Sequence, residues 1–157
     1  MSAWVVTMDA LEPFRVAGVA QMPEPLPYLQ FEGKRNFDVS LSVSITTENG
    51  VETVVSQSNF KHLYWNTAQQ LAHHTINDCP MRVGDVLASG TISGDEPSSF
   101  GSMLELAWSG KQPITLNDGT ERTFIQDGDT VTMKAFAQRD HIKIGFGEVR
   151  NKVLPTK

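Results

Sequence analysis

From Phe37 to Thr46 the side chains alternate without a break. Phe37, Val39, Leu41, Val43 and Ile45 are apolar, and Asp38, Ser40, Ser42, Ser44 and Thr46 are polar. Successive residues of an extended chain point to opposite faces. Five matches in five at period two therefore demand a strand with one face on a core and one in water. Glu48-Asn49-Gly50 follows. Asn-Gly accepts positive φ at little cost, so the chain turns there and Val51 to Ser56 returns as the partner strand.

The one strong helical signal starts at Ser58-Asn59, either of which can cap a helix by accepting from a free amide. Phe60, Leu63, Tyr64, Thr67, Ala68, Leu71 and Ala72 recur at steps of three and four, and Asn77-Asp78 with Pro80 ends the run. Beyond it the chain reads as strands: Val86 to Ser89, Met103 to Trp108, Ile114 to Leu116, Arg122 to Phe124, Val131 to Gln138 and His141 to Phe146. Asn117-Asp118-Gly119 marks a second hairpin. Ahead of the first hairpin, Pro23, Pro25 and Pro27 leave too few amide donors for a central strand or a helix interior. Residues 12–30 are expected to form an ordered, extended connector on which Phe14, Val16 and Leu26 can pack. The fold expected is mostly β with one main helix (α+β), as one domain.

Composition narrows the function. The 157 residues carry a formal charge of -5, and no basic run exceeds Lys34-Arg35, which argues against a nucleic-acid footprint. Apolar stretches are a few residues long, short of a membrane span. Ser2-Ala3-Trp4 has no basic lead and no long apolar core, so no secretory signal is expected. One cysteine, Cys79, excludes an internal disulfide and a thiolate zinc cage.

Few residues point to chemistry. In Gly90-Thr91-Ile92-Ser93-Gly94 the glycines let backbone approach a ligand, and the Thr91 and Ser93 hydroxyls can donate to an anionic oxygen. A tight turn with solvated hydroxyls fits the same residues. Glu105, between Leu104 and Leu106, reads as a strand residue on the sheet face opposite those leucines. It is either a solvated surface carboxylate or a cleft carboxylate that orients a histidine or a water. His73 and His74 are adjacent on the helix and point about 100° apart, so they cannot chelate one metal as an i, i+4 pair could. A structural role near the helix end is the simpler reading, and His62 and His141 are read likewise. Tyr64 and Trp65 read as core packing on the helix. Cys79 has no local base and no CxxC partner. Asp95-Glu96 and Asp127/Asp129 read as solvated turns.

Taken together these segments resemble the fumarylacetoacetase branch of the fumarylacetoacetate hydrolase family. The resemblance rests on Ser2 to Leu11, Pro25 to Leu29, Ser58-Asn59-Phe60-Lys61, Tyr64-Trp65, Gln69-Gln70-Leu71 and His73-His74. It continues through Leu87 to Gly94, Phe100 to Leu106, Ile144 to Gly147 and Val153-Leu154-Pro155. It covers nearly the whole chain in order, and implies residues 1–157 of the C-terminal part of one catalytic domain with a mixed β-sandwich roll. The implied reaction is hydrolysis of the C–C bond of 4-fumarylacetoacetate to fumarate and acetoacetate, in tyrosine and phenylalanine breakdown. By resemblance Thr91 hydrogen-bonds the substrate, and Glu105 pairs with the catalytic histidine. None of His62, His73, His74 or His141 matches that histidine, and no Asp or Glu matches a metal ligand. The calcium or magnesium ion of the intact enzyme is therefore expected to be held outside this chain. The partners implied are a small diketo acid, the upstream half of the enzyme and a second copy in a homodimer, in the cytoplasm. This chain alone is expected to be inactive. A non-catalytic remnant or interaction module, and another hydrolase of the family such as an acylpyruvate hydrolase, are the alternatives.

Overall fold

The computed structural model describes residues 2–156. The helix α1 (Met8–Leu11) is capped by Thr7, whose hydroxyl accepts from the Ala10 amide. A 3-10 turn over Glu12–Phe14 then drives Phe14 fully into the interior. β1 (Arg15–Val16) pairs antiparallel with β2 (Asn36–Phe37). The connector expected over residues 12–30 is ordered but not extended throughout: it opens with that 3-10 turn and β1, and has a second 3-10 turn at Pro27–Leu29. Its anchor is the buried Gln21. The side-chain amide donates to the Tyr64 carbonyl at 2.7 Å, and the side-chain oxygen accepts from Arg35 at 2.7 Å and Gln69 at 2.9 Å. Leu26, expected to pack, stays 61% exposed.

β3 (Ser40–Thr46) and β4 (Glu52–Asn59) form the predicted hairpin. Gly50 sits at φ 78° in the turn and donates to the Thr47 carbonyl. The strand expected from Phe37 is split. The Asp38 amide donates to the Phe14 carbonyl at 2.8 Å, so Phe37 belongs to β2 and the ladder resumes at Ser40. Phe37, Val39 and Ile45 are buried as the period-two pattern requires. The polar face is drier than expected, because Ser44 is buried with its hydroxyl donating to Glu52.

The helix also starts later than its apolar stripe implies. Asn59 does cap, but only a 3-10 turn over Phe60–His62. α2 (Thr67–Thr75) begins after Asn66, in a capping box in which Asn66 accepts from the Gln69 amide and Gln69 accepts from the Asn66 amide. That local hydrogen-bond set overrides the stripe. Tyr64 and Trp65 thus stand before the helix, half exposed, packed edge to face on each other. The expected strand Val86 to Ser89 is not formed; the segment is irregular, unpaired and exposed. The expected strand Met103 to Trp108 is instead a helix, α3 (Met103–Leu106), capped by Ser102.

β5 (Ile114–Thr115) and β6 (Glu121–Arg122) flank the predicted Asn117-Asp118-Gly119 turn. β7 (Thr130–Arg139) and β8 (Ile142–Lys152) form a second long hairpin. β7 lies antiparallel to β3, from Ser40 opposite Phe136 to Thr46 opposite Thr130, which gives one sheet in the order β4-β3-β7-β8. Leu11, Phe14, Phe37, Val39 and Ala137 form the core, with Leu41, Phe60, Ala135, Ile144 and Phe146 packed around it. The architecture is α+β, largely antiparallel sheet with one main helix. No helix among the described residues is long and apolar enough to cross a membrane.

Asp129, expected in a solvated turn, is buried at 1% exposure. Arg122 grips it through two bonds of 2.9 Å, and the Gln126 amide adds a third at 3.0 Å. The guanidinium holds the Asp129 carboxyl below its ordinary range. Replacing Phe14 with Ala should cost about 3–5 kcal/mol in chemical denaturation, since the ring is wholly enclosed. Wild-type stability would show that the turn is not a core plug. Asp118 offers a pH test. The Thr120 hydroxyl and amide, then the Thr47 hydroxyl, lower its carboxyl from 3.8 to about 2. A depressed folded value stabilises above the unfolded one and is lost as pH falls through about 2. Asp118→Asn should therefore lower stability at pH 7 and match wild type near pH 2. An equal gap at both pH values would refute this linkage.

Candidate functional site

Two irregular segments meet over β4. The first is Gly90 to Gly94; the second runs from the 3-10 turn at Pro97–Ser99 to Gly101. β4 holds both by hydroxyls. Ser58 donates to the Ile92 carbonyl and Ser56 to the Phe100 carbonyl, each at 2.7 Å. The Gly94 amide donates to the Ser99 carbonyl at 3.0 Å. A Cβ at Gly101 would lie 2.8 Å from the Ile92 nitrogen, so glycine is what lets the two backbones touch.

Glu105 is the focus of the polar contacts. Ser93 donates to its two carboxylate oxygens at 2.7 and 2.9 Å, and Ser102 donates to Oε2 at 2.7 Å. Ser93 Oγ also accepts from the Gly101 amide at 3.0 Å. The Ser102 hydroxyl, then that of Ser93, lowers the Glu105 pKa below the ordinary carboxylate range. The half-buried side chain is therefore a carboxylate at neutral pH. Two donating hydroxyls, that of Ser93 shared between both oxygens, leave it capacity for a further donor, such as an imidazole N–H.

The sequence placed Glu105 on a strand. It instead ends the first turn of α3. The available signal was Ser102 followed three residues on by Glu105, a capping-box spacing. The apolar run around it is too short for periodicity to separate strand from helix. Gly101 and Ser102 were missed for the same reason. Of the two readings open for the Ser93 hydroxyl, a solvated turn or a donor to an anionic oxygen, the structure shows the donor, and the anion is the protein's own Glu105 carboxylate.

Thr91 lines a cleft of about 530 Å³ against the sheet, with Leu41, Met133, Phe146 and Gly101. It also lines a second cleft of about 520 Å³, with Ser93, His62, His73 and His74. Glu105 lines a separate depression with Phe100, Leu104 and Trp108. Thr91 and Glu105 thus do not share one cavity. Ser93 joins them, because it lines the second cleft beside Thr91 and holds the carboxylate. Two of the histidines of that second cleft have partners outside it. His73 Nδ1 is 3.1 Å from the Tyr28 hydroxyl. His74 Nε2 is 3.2 Å from Cys79 Sγ, a neighbour for the thiol that the sequence reading did not pair with it. Among the described residues no group of three His, Cys, Asp or Glu could hold a metal ion.

Gly101→Ala should separate Ile92 from Gly101 and cost about 1–3 kcal/mol. Amide exchange should quicken at Gly94 and Gly101 while the sheet is unaffected. Unchanged exchange at both amides would mean that the contact is not a clamp.

Comparison with known proteins gives a consistent picture. Residues 1–154 match the family model described as fumarylacetoacetate (FAA) hydrolase C-terminal. Fumarylacetoacetase of Homo sapiens is 51% identical over 156 residues, 99% of this chain and 37% of that protein. Those of Arabidopsis thaliana and Caenorhabditis elegans are 47% and 46% identical over 157 residues, again 99% of this chain and 37% of each. The chain thus spans little more than a third of the length of these relatives.

Proposed function

The chain belongs to the fumarylacetoacetate hydrolase family, and from that membership we propose that it is the C-terminal part of a fumarylacetoacetase catalytic domain. The proposed reaction splits a C–C bond of the diketo acid 4-fumarylacetoacetate with water, in tyrosine and phenylalanine breakdown, in a cytoplasmic homodimer. The observation that carries this reading is the Ser93 bridge, 2.7 Å from Glu105 and in the same cleft as Thr91.

In this reading Thr91 donates a hydrogen bond to a substrate oxygen. Glu105 accepts the N–H of a histidine contributed by the rest of the enzyme. It fixes that ring's orientation and stabilises the imidazolium formed as the ring takes a proton from water. Hydroxide adds to the carbonyl carbon, the C–C bond breaks, and its electron pair leaves with acetoacetate as an enolate that is then protonated. Ser93 and Ser102 act as positioning residues that keep Glu105 ionised and aimed. The described residues do not fit the divalent ion the resemblance implies, since no three ligating side chains converge. Its ligands are assigned in this proposal to the remaining length of the enzyme.

The exposed apolar side chains suit such an arrangement. Trp4 is 73% and Val5 91% exposed, and Leu104 and Trp108 flank the Glu105 depression with their side chains in solvent. Scattered apolar exposure is common, but this much in one small chain favours a covering partner. A second reading, a non-catalytic interaction module, is favoured by one observation: Glu105 has two serine partners and no histidine among the described residues.

Loss of diketone absorbance separates the two. The chain alone with calcium should show no turnover. In the full-length protein Glu105→Gln should lower kcat roughly 10²–10⁴-fold with little change in KM. Robust turnover by the chain alone would overturn the assignment of base and metal ligands elsewhere. An unchanged kcat in the full-length variant would remove Glu105 from the mechanism and leave the module reading.

A further inference from the structure

We propose that the cleft between the proline connector and α2 binds a small organic cation, an alkylated ammonium such as a trimethylammonium group. The cleft measures about 610 Å³, within the range of small-molecule sites, and is mostly apolar. Its walls are aromatic. Tyr64 and Trp65 meet at 81° with ring centroids 5.0 Å apart, which makes a corner of two nearly perpendicular rings. Tyr28 and His73 lie nearly parallel, at 17° with ring centroids 6.5 Å apart, and meet edge to edge through the tyrosine hydroxyl along the same cavity.

The hydroxyls of the two tyrosines are already occupied. The Tyr64 hydroxyl bonds the backbone of Met22, and the Tyr28 hydroxyl lies 3.1 Å from His73 Nδ1. What the tyrosines can still offer a ligand is therefore π surface. The negative face of an aromatic ring attracts a cation within about 6 Å of its centroid, and a cage of such rings selects alkylated ammonium. Charge agrees with this. Glu24 is the one acidic side chain in the lining, no Lys or Arg lines the cleft, and Gln30 steadies the carboxylate by donating to it at 3.0 Å.

The floor is rigid enough to keep the cage open. Gln69, buried on α2, donates to the Leu29 carbonyl at 2.7 Å and exchanges side-chain bonds with Gln21 at 2.9 and 3.1 Å. These bonds fasten the connector to the helix from beneath, so the rings above need little ordering when a ligand enters. The cleft adjoins the cavity that holds Thr91 and Ser93, across shared walls at Tyr64, Trp65, Gln70 and His73, and has no residue in common with the Glu105 depression. The inference does not depend on the proposed hydrolase activity.

The test is an NMR titration of the whole chain with choline and with its uncharged isostere 3,3-dimethylbutan-1-ol. Choline should shift the Trp65 indole and the Gln70 and His73 amides, and bind at least about tenfold more tightly than the alcohol. Trp65→Leu should abolish choline binding, and Glu24→Gln should weaken it several-fold. Glu24 is exposed, so this second variant remains informative if the first does not fold. Equal affinity for the alcohol would overturn the proposal. So would shifts confined to other residues, no shift at millimolar choline, or a Glu24→Gln variant that binds choline as wild type does.

Discussion

The antiparallel pairing of β3 with β7 joins two hairpins that are far apart in sequence. Each hairpin closes locally across a short turn, at Gly50 or at Asp140. Their union requires a long loop to close before its contacts form, a cost in chain entropy that neither hairpin can offset alone. The side chains that repay it are those the pairing brings together. Leu41 and Ala135 lie opposite each other, beside the core residues Phe14, Phe37, Val39 and Ala137. Without that register the entry segment would have no sheet to plug, and β4 would have no fixed place from which to hold the site.

The candidate site is built as a set of hydroxyl clamps on that frame. Ser56 and Ser58 project from one strand and each takes a carbonyl from a different irregular segment. Ser93 and Ser102 then converge on one carboxylate. Segments without a ladder must satisfy their backbone groups elsewhere, and short polar side chains on a neighbouring strand are a direct way to do so. The close contact of Gly101 with Ile92 follows from the same need, since any Cβ would hold the two backbones apart.

The Arg122–Asp129 pair serves the opposite end of the sheet. It ties β6 to the start of β7 through a bidentate bond in the interior. Such a pair adds little net stability over an apolar replacement, but removing either partner strands a buried charge. Its value lies in geometry, because a guanidinium and a carboxylate match only in one register. The small ribbon therefore has a single docking position.

The sequence by itself determined the β3–β4 hairpin and the β5–β6 ribbon through the turns at Asn49-Gly50 and Asn117-Asp118-Gly119, together with the ordered connector and the buried set Phe37, Val39 and Ile45. These are local properties: a period, a turn dipeptide, a missing amide. It also carried the family resemblance, and with it the interest in Thr91 and Glu105. That Met103 to Leu106 is helix and that α2 starts at Thr67 rest on capping spacings, Ser102 to Glu105 and Asn66 to Gln69, that the apolar pattern masks; only the tertiary structure decided that Asp129 is buried. Only it brought Ser93 to Glu105, His74 to Cys79, and the aromatic rings of Tyr28, Tyr64, Trp65 and His73 around one cleft. The rings meet across long stretches of chain, whereas the polar pairings join residues close in sequence and turn on which of several nearby donors and acceptors the surrounding packing selects. A six-residue apolar run carries no period that tells a strand from a helix. A polar side chain in a turn carries no mark of the partner that will bury it.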